Sequence, residues 1–239
     1  MISLPSTNNV YRISALFIVL IVIGVQWGFY ETYTSQFPTF ENATPVIHIH
    51  GALLMMWLSL LVLQPMLIYF KKIKLHRTIG KVSFVLGPLI IISMFLVGRG
   101  GYWHGVGNVP EVFNLGVMVL DIRGLITFAI FWALAMAYRK TSSAHMRYMI
   151  ATGILAIGPG VGRGLVASFD LSLYAAISIT DVLELAIVGT LLGVDLVKKN
   201  DYKPFLVVFL VFLIGKVLWQ FRESDLWQNF ARNYAELFY

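Results

Sequence analysis

The stretch 172–197, SLYAAISITDVLELAIVGTLLGVDLV, decides the fold. It is apolar over a length that exceeds the roughly 18–20 residues a helix needs to cross a bilayer core. Yet it carries two acids three residues apart near its centre, Asp181 and Glu184. Six further runs of similar character can be drawn, at about 13–30, 46–70, 79–98, 112–138, 146–166 and 204–221. The whole chain has 239 residues, of which 58% are apolar and only 13% charged, with a mean hydropathy of +0.78. A water-soluble domain carries roughly 25% charged residues. The expected fold is therefore all-α: a polytopic bundle of seven transmembrane helices over residues 1–221, followed by a tail over 222–239.

The loops set the orientation. Twelve of the 18 basic residues fall on one side: Arg12, Lys71, Lys72, Lys74, Arg77, Lys81, Arg139, Lys140, Arg147, Lys198, Lys199 and Lys203. The other side holds only Arg99, Arg163, Arg222 and Arg232. The positive-inside rule then puts the N-terminus in the cytoplasm and the C-terminus outside. Topology thus accounts for the net charge of +6 without a nucleic-acid partner. The first apolar run follows a single Arg12 and precedes no small-x-small cleavage site, so it is expected to stay as the first span. The chain has no cysteine, which excludes disulfides, thiolate nucleophiles and thiolate metal ligands.

Three local features stand out. The fifth run contains Gly158-Pro159-Gly160 and is expected to break there. Residues 98–110 are glycine-rich and are expected to form an ordered outer cap with Tyr102, Trp103 and His104. The tail spaces Leu226, Trp227, Phe230, Tyr234, Leu237 and Phe238 three and four apart behind Ser224, a natural N-cap. It predicts a short amphipathic helix on the outer membrane surface or against a partner subunit.

Function is sought in the buried charges, because ionisable residues inside a bilayer are costly and tend to pair or to line a pathway. Six within the spans are singled out: Asp121, Arg123, Arg163, Asp181, Glu184 and Lys216. At 1.5 Å per residue, Asp121 and Arg123 sit about 13–17 Å below the outer end of the fourth span. Asp181 and Glu184 sit about 13–18 Å below that of the sixth. His50, roughly 6 Å into the second span, joins this layer. Asp181 and Glu184 share a helical face, so one of the two acids is expected to hold its proton more tightly unless a cation, Lys216, Arg123 or Arg163, intervenes. Asp121 and Arg123, two apart, point to different sides. The layer reads either as a ligand-binding or proton-relaying cavity opening outward, or as a closed network of ion pairs that fixes helix register in an accessory subunit of a larger complex.

The histidines offer a second, redox class of function. His76 and His145 would be the axial pair of a haem, with Arg77 and Arg147 beside its propionates. A metal would draw on His50 and His104 with an acid such as Glu111. A third reading takes Lys216 as the Schiff-base lysine of a retinal protein, with Asp121, Asp181 or Glu184 as counter-ion. No residue pattern assigns a catalytic reaction.

His48-Ile49-His50-Gly51, Trp57, Gln64, Leu75-His76-Arg77-Thr78-Ile79-Gly80 and Ala144-His145-Met146-Arg147-Tyr148-Met149 together resemble a widespread group of uncharacterised bacterial multi-pass membrane proteins, a domain-of-unknown-function family. The resemblance covers the second to fifth spans. It implies a bacterial cytoplasmic (inner) membrane, with the lipid bilayer as main partner, and brings no activity. Independently of it, His50, Trp57 and Gln64 are each seven apart and form one stripe, expected to face the bundle interior.

Overall fold

The computed structural model describes residues 7–41 and 43–239; residues 1–6 of the expected first domain and Asn42 lie outside them. The described residues form helices and connections with no strand. Seven helical segments are long and apolar enough to cross a membrane. They expose large apolar side chains to the surroundings, Leu20 at 67% and Val182 at 68% among them. A soluble bundle would turn such a stripe inward, so the surface fits a lipid environment.

The elements are α1 (Thr7–Phe29), α2 (Pro45–Tyr69), α3 (Ile73–Gly80), α4 (Ser83–Gly105), α5 (Glu111–Ala137), α6 (Ser142–Ile154), α7 (Ile157–Phe169), α8 (Leu173–Val197), α9 (Lys203–Gln220) and α10 (Asp225–Phe238). Their starts follow local chemistry. Thr44, Ser172 and Ser224 cap α2, α8 and α10 by accepting the N–H of Ile47, Ala175 and Trp227. Pro45 and Pro204 sit in first turns, where a missing N–H costs nothing.

In space α1 lies between α2 and α7, α2 packs on α4, α4 on α5, and α8 joins α7 to α9. The fifth predicted span is two helices with different neighbours. α6 packs against α5 and α9, and also touches α1 and α2, while α7 packs mainly against α1 and α8. The core gathers around the α6 half, with Trp57, Phe131, Ile154, Val188 and Val208 fully buried and Trp57 meeting Phe128 edge-on at 5.4 Å. On the α7 side glycine replaces bulk. A side chain on Gly28 would overlap the Gly160 carbonyl, and one on Gly164 would strike the Trp27 ring. With no hydrophobic drive between helices in lipid, such backbone contact is a main source of adhesion.

Two sequence expectations need correcting. The break in the fifth span falls at Leu155–Ala156, ahead of Gly158-Pro159-Gly160. Pro159 lies in the first turn of α7, where it begins a helix instead of interrupting one. The glycine-rich segment is not a cap loop, because α4 runs on through Gly100 and Gly101 to Gly105. The extension is held from outside: Asn114 Nδ2 donates to the Tyr102 carbonyl, and Arg99 Nε and Trp103 Nε1 both donate to the Tyr239 carbonyl. The tail helix α10 forms as expected; one of its faces packs within the chain and leaves Leu226, Leu237 and Phe238 exposed. Ala231 and Ala235 bury against Leu115 and Met118 of α5, Trp227 Nε1 donates to the Leu115 carbonyl at 2.9 Å, and Arg232 pairs with Glu111 at 2.9 Å.

Candidate functional site

Four of the six span charges meet in one network. The Lys216 ammonium donates to Asp181 Oδ1 at 2.7 Å and to Glu184 Oε2 at 2.8 Å, so one cation separates the two acids. Arg123 reaches across from α5, donating through Nη2 to Asp181 Oδ1 at 3.0 Å and through Nη1 to the Gly215 carbonyl at 3.2 Å. The second carboxylate oxygen of Glu184 accepts the Gly158 N–H at 3.0 Å. Gly158 is in the first turn of α7, so the acid also sits at the positive end of that helix. Two acids and two bases make the cluster neutral. Asp181, Glu184 and Lys216 are buried. Every carboxylate oxygen of Glu184 and the Lys216 ammonium is engaged, as a buried charge requires.

The remaining members of the expected layer stand apart from it. Asp121, on α5, makes no hydrogen bond or ion pair among the described residues and lines a cavity of about 190 Å³. Met94 and Phe95 of α4, Ile122, Leu125 and Ile126 of α5, and Tyr234 and Tyr239 at the end of α10 complete that cavity. Gly98 makes room for the site: the Asp121 side chain and the Tyr239 hydroxyl each lie 3.1 Å from where a Cβ would stand. Arg163, exposed on α7, donates to the Pro159 carbonyl and stacks 4.6 Å over the Phe29 ring. It acts on both Asp121 and His50 through space and bonds to neither. His50 shares a 2.9 Å hydrogen bond with Ser93, so the His50, Trp57, Gln64 stripe turns inward as expected.

His50 and His104 are not brought together. His50 meets Ser93, and His104 lies eleven residues further along α4, about 16 Å away at 1.5 Å per residue. Glu111 pairs with Arg232 instead. No group of three His, Asp or Glu side chains able to hold a metal ion occurs among the described residues.

His76 and His145 come within electrostatic reach of one another at the opposite end of the bundle. Each is anchored through Nδ1. His145 donates to the Ala135 carbonyl at 2.8 Å, and His76 meets the Gln64 amide, in the amide orientation that also lets Gln64 accept from the Gly80 N–H. Such anchoring leaves Nε2 of each imidazole free and fixes the ring.

One strong pair escaped the sequence reading. Arg147 and Asp195 are both buried, and the guanidinium forks onto the carboxylate with Nε and Nη2 each 2.7 Å from an oxygen. Ser143 and Asn200 complete the cluster, the first accepting from Arg147 and the second donating to Asp195. The available signal was Asp195 itself, an acid inside the predicted span 172–197.

No protein-family model, curated protein or solved structure matches the chain. The description that stands is a helical bundle with seven helices fit to cross a membrane.

Proposed function

We propose that the chain is a multi-pass protein of the bacterial cytoplasmic membrane that binds a small ligand or relays protons, with Asp121 as the receiving group. The N-terminus faces the cytoplasm, since the lysine-rich connections then lie inside, and the Asp121 layer falls in the outer half of the bilayer. The observation that carries this reading is the contrast between two sets of charges at similar depth. Arg123, Asp181, Glu184 and Lys216 satisfy one another, and so act as the clamp that joins α5, α7, α8 and α9. Among the described residues Asp121 has no hydrogen-bond or ion-pair partner, and it lies beside a cavity. A bare carboxylate at that depth is costly, and a proton or a bound cation relieves the cost.

The test is the infrared carboxyl band of the protein in lipid nanodiscs, as the difference between acid and alkaline buffer. A band present in the wild type, absent in Asp121→Asn and retained in Glu184→Gln is the expected result. A spectrum unchanged by Asp121→Asn overturns the reading.

A second reading has its own observation, His76 and His145 at the same end of the bundle, each anchored through Nδ1. It makes the protein a haem-binding redox component, the two histidines supplying axial ligands from the cytoplasmic side. A reduced-minus-oxidised absorption spectrum of the purified protein decides it, and the lack of a cytochrome b-type band removes it.

A further inference from the structure

The surroundings of Asp121 go further than a receiving group: they specify the sign and shape of what is received. The cavity carries one carboxylate and no basic residue on its walls. Three of its lining residues, Phe95, Tyr234 and Tyr239, present aromatic rings, and Met94 adds a polarisable thioether. The rings form a connected set, with Phe95 and Tyr239 at 5.6 Å and Tyr234 and Tyr239 at 5.3 Å, both near edge-to-face. Leu125 supplies apolar wall between them.

Rings around an anion form a cation site, because the negative faces of the rings and the carboxylate attract the same charge. An anion would meet the Asp121 carboxylate with no donor fork to offset it. A neutral hydrocarbon would leave that carboxylate unpaired. A strongly hydrated inorganic cation would need several oxygen ligands, and one carboxylate does not supply them. Arg163 opposes a cation from α7, yet only through space, its guanidinium being engaged by Pro159 and Phe29.

We infer that the Asp121 cavity binds an organic monocation, an amine or quaternary ammonium whose apolar substituents lie against Phe95, Tyr234, Tyr239 and Met94. The inference rests on the reading of Asp121 as a ligand-receiving group and adds the ligand's class. About 190 Å³ admits a single nitrogen bearing a few short carbon chains. Tyr234 lies on α10 and Tyr239 caps its C-terminal end, so α10 forms one side of the site.

The experiment is equilibrium binding of radiolabelled tetraethylammonium to the full chain in zwitterionic phosphatidylcholine nanodiscs. Its competitors are the neutral isostere 3,3-diethylpentane and the anion butanesulfonate. The expected result is saturable binding displaced by neither. Asp121→Asn weakens it about tenfold or more, and Asp121→Glu restores most of it. Phe95→Leu weakens it about threefold. Arg163→Gln tightens it, since a like charge is removed. Displacement by 3,3-diethylpentane, unchanged binding in Asp121→Asn, or weaker binding in Arg163→Gln overturns the cation class. No tetraethylammonium binding in a protein that keeps its Asp121 carboxyl band overturns the inference and leaves the proposed function standing. Loss of both defeats the two together.

Discussion

Glu184 accepts the backbone N–H of Gly158 at 3.0 Å, tying the side chain of one helix to the first turn of another. This contact explains why the fifth span can break without a penalty. A helix start inside a bundle leaves N–H groups without partners, and in lipid each one is expensive. Pro159 removes one donor, and Glu184 satisfies another. The same acid is bound to Lys216, so the break and the charge network form one unit.

Glu184→Gln should therefore lower the thermal stability of the bundle in detergent while leaving Asp121 chemistry in place. Removing one partner of a buried ion pair costs on the order of 3–5 kcal/mol, and the retained amide acceptor for Gly158 places this variant toward the low end. Lys216→Met should cost a similar amount, with the double variant much milder than the sum. Melting followed by size-exclusion fluorescence measures all three. Strict additivity of the two changes would show that the pair is not coupled.

Arg147→Lys and Asp195→Asn test the second buried pair. Lysine cannot reproduce the two-nitrogen fork onto Asp195, so the nominally conservative change should destabilise by roughly 2 kcal/mol or more. Arg77→Gln, at an exposed position with no ion pair among the described residues, should stay within about 1 kcal/mol. Equal melting temperatures for Arg147→Lys and Arg77→Gln would contradict the geometry.

Gly28→Ala should disrupt the α1–α7 contact, because the new methyl overlaps the Gly160 carbonyl, which is backbone and cannot rotate away. Gly51→Ala is the control, with no atom within 4 Å of the added carbon. Removal of a helical glycine there should be neutral or stabilise by up to about 1 kcal/mol. Yield of monodisperse protein and melting temperature compare the two.

Tyr239 provides a pH dependence. Burial, followed by the neighbouring Asp121 and Tyr234, pushes its phenol above the ordinary value. A raised acid keeps its proton in the folded state while the unfolded chain loses its own near pH ~10. Stability should therefore fall as pH rises through that region, and not below it. Phenolate absorbance in the wild type minus Tyr239→Phe should show a titration displaced to higher pH, and Tyr239→Phe should flatten the alkaline loss of stability.

Much of the architecture is carried by residue pattern. Apolar length gives seven spans, Ser224 announces α10, and the three-residue spacing of Asp181 and Glu184 places both acids on one face, where Lys216, one of three candidate cations, binds them. The seven-residue stripe of His50, Trp57 and Gln64 likewise points inward because each needs a polar partner. What pattern misses is tertiary. Gly100 and Gly101 read as loop from propensity, but contacts from Tyr239 and Asn114 hold them helical. Arg147 counts as a loop cation by position, and only the fold shows Asp195 waiting for it. Spacing alone divides Asp121 from Arg123. It gives no sign that Arg123 would be spent on Asp181 and leave Asp121 alone.

The glycine contact between α1 and α7 also governs how this molecule can move. Where two backbones touch, there are no side chains to rotate out of the way, so that wall of the bundle is a fixed seam. The Asp121 cavity lies on the other flank, walled by α4, α5, Tyr234 and Tyr239. A ligand of Asp121 would therefore come and go along this flank, with no need for the α1–α7 seam to part.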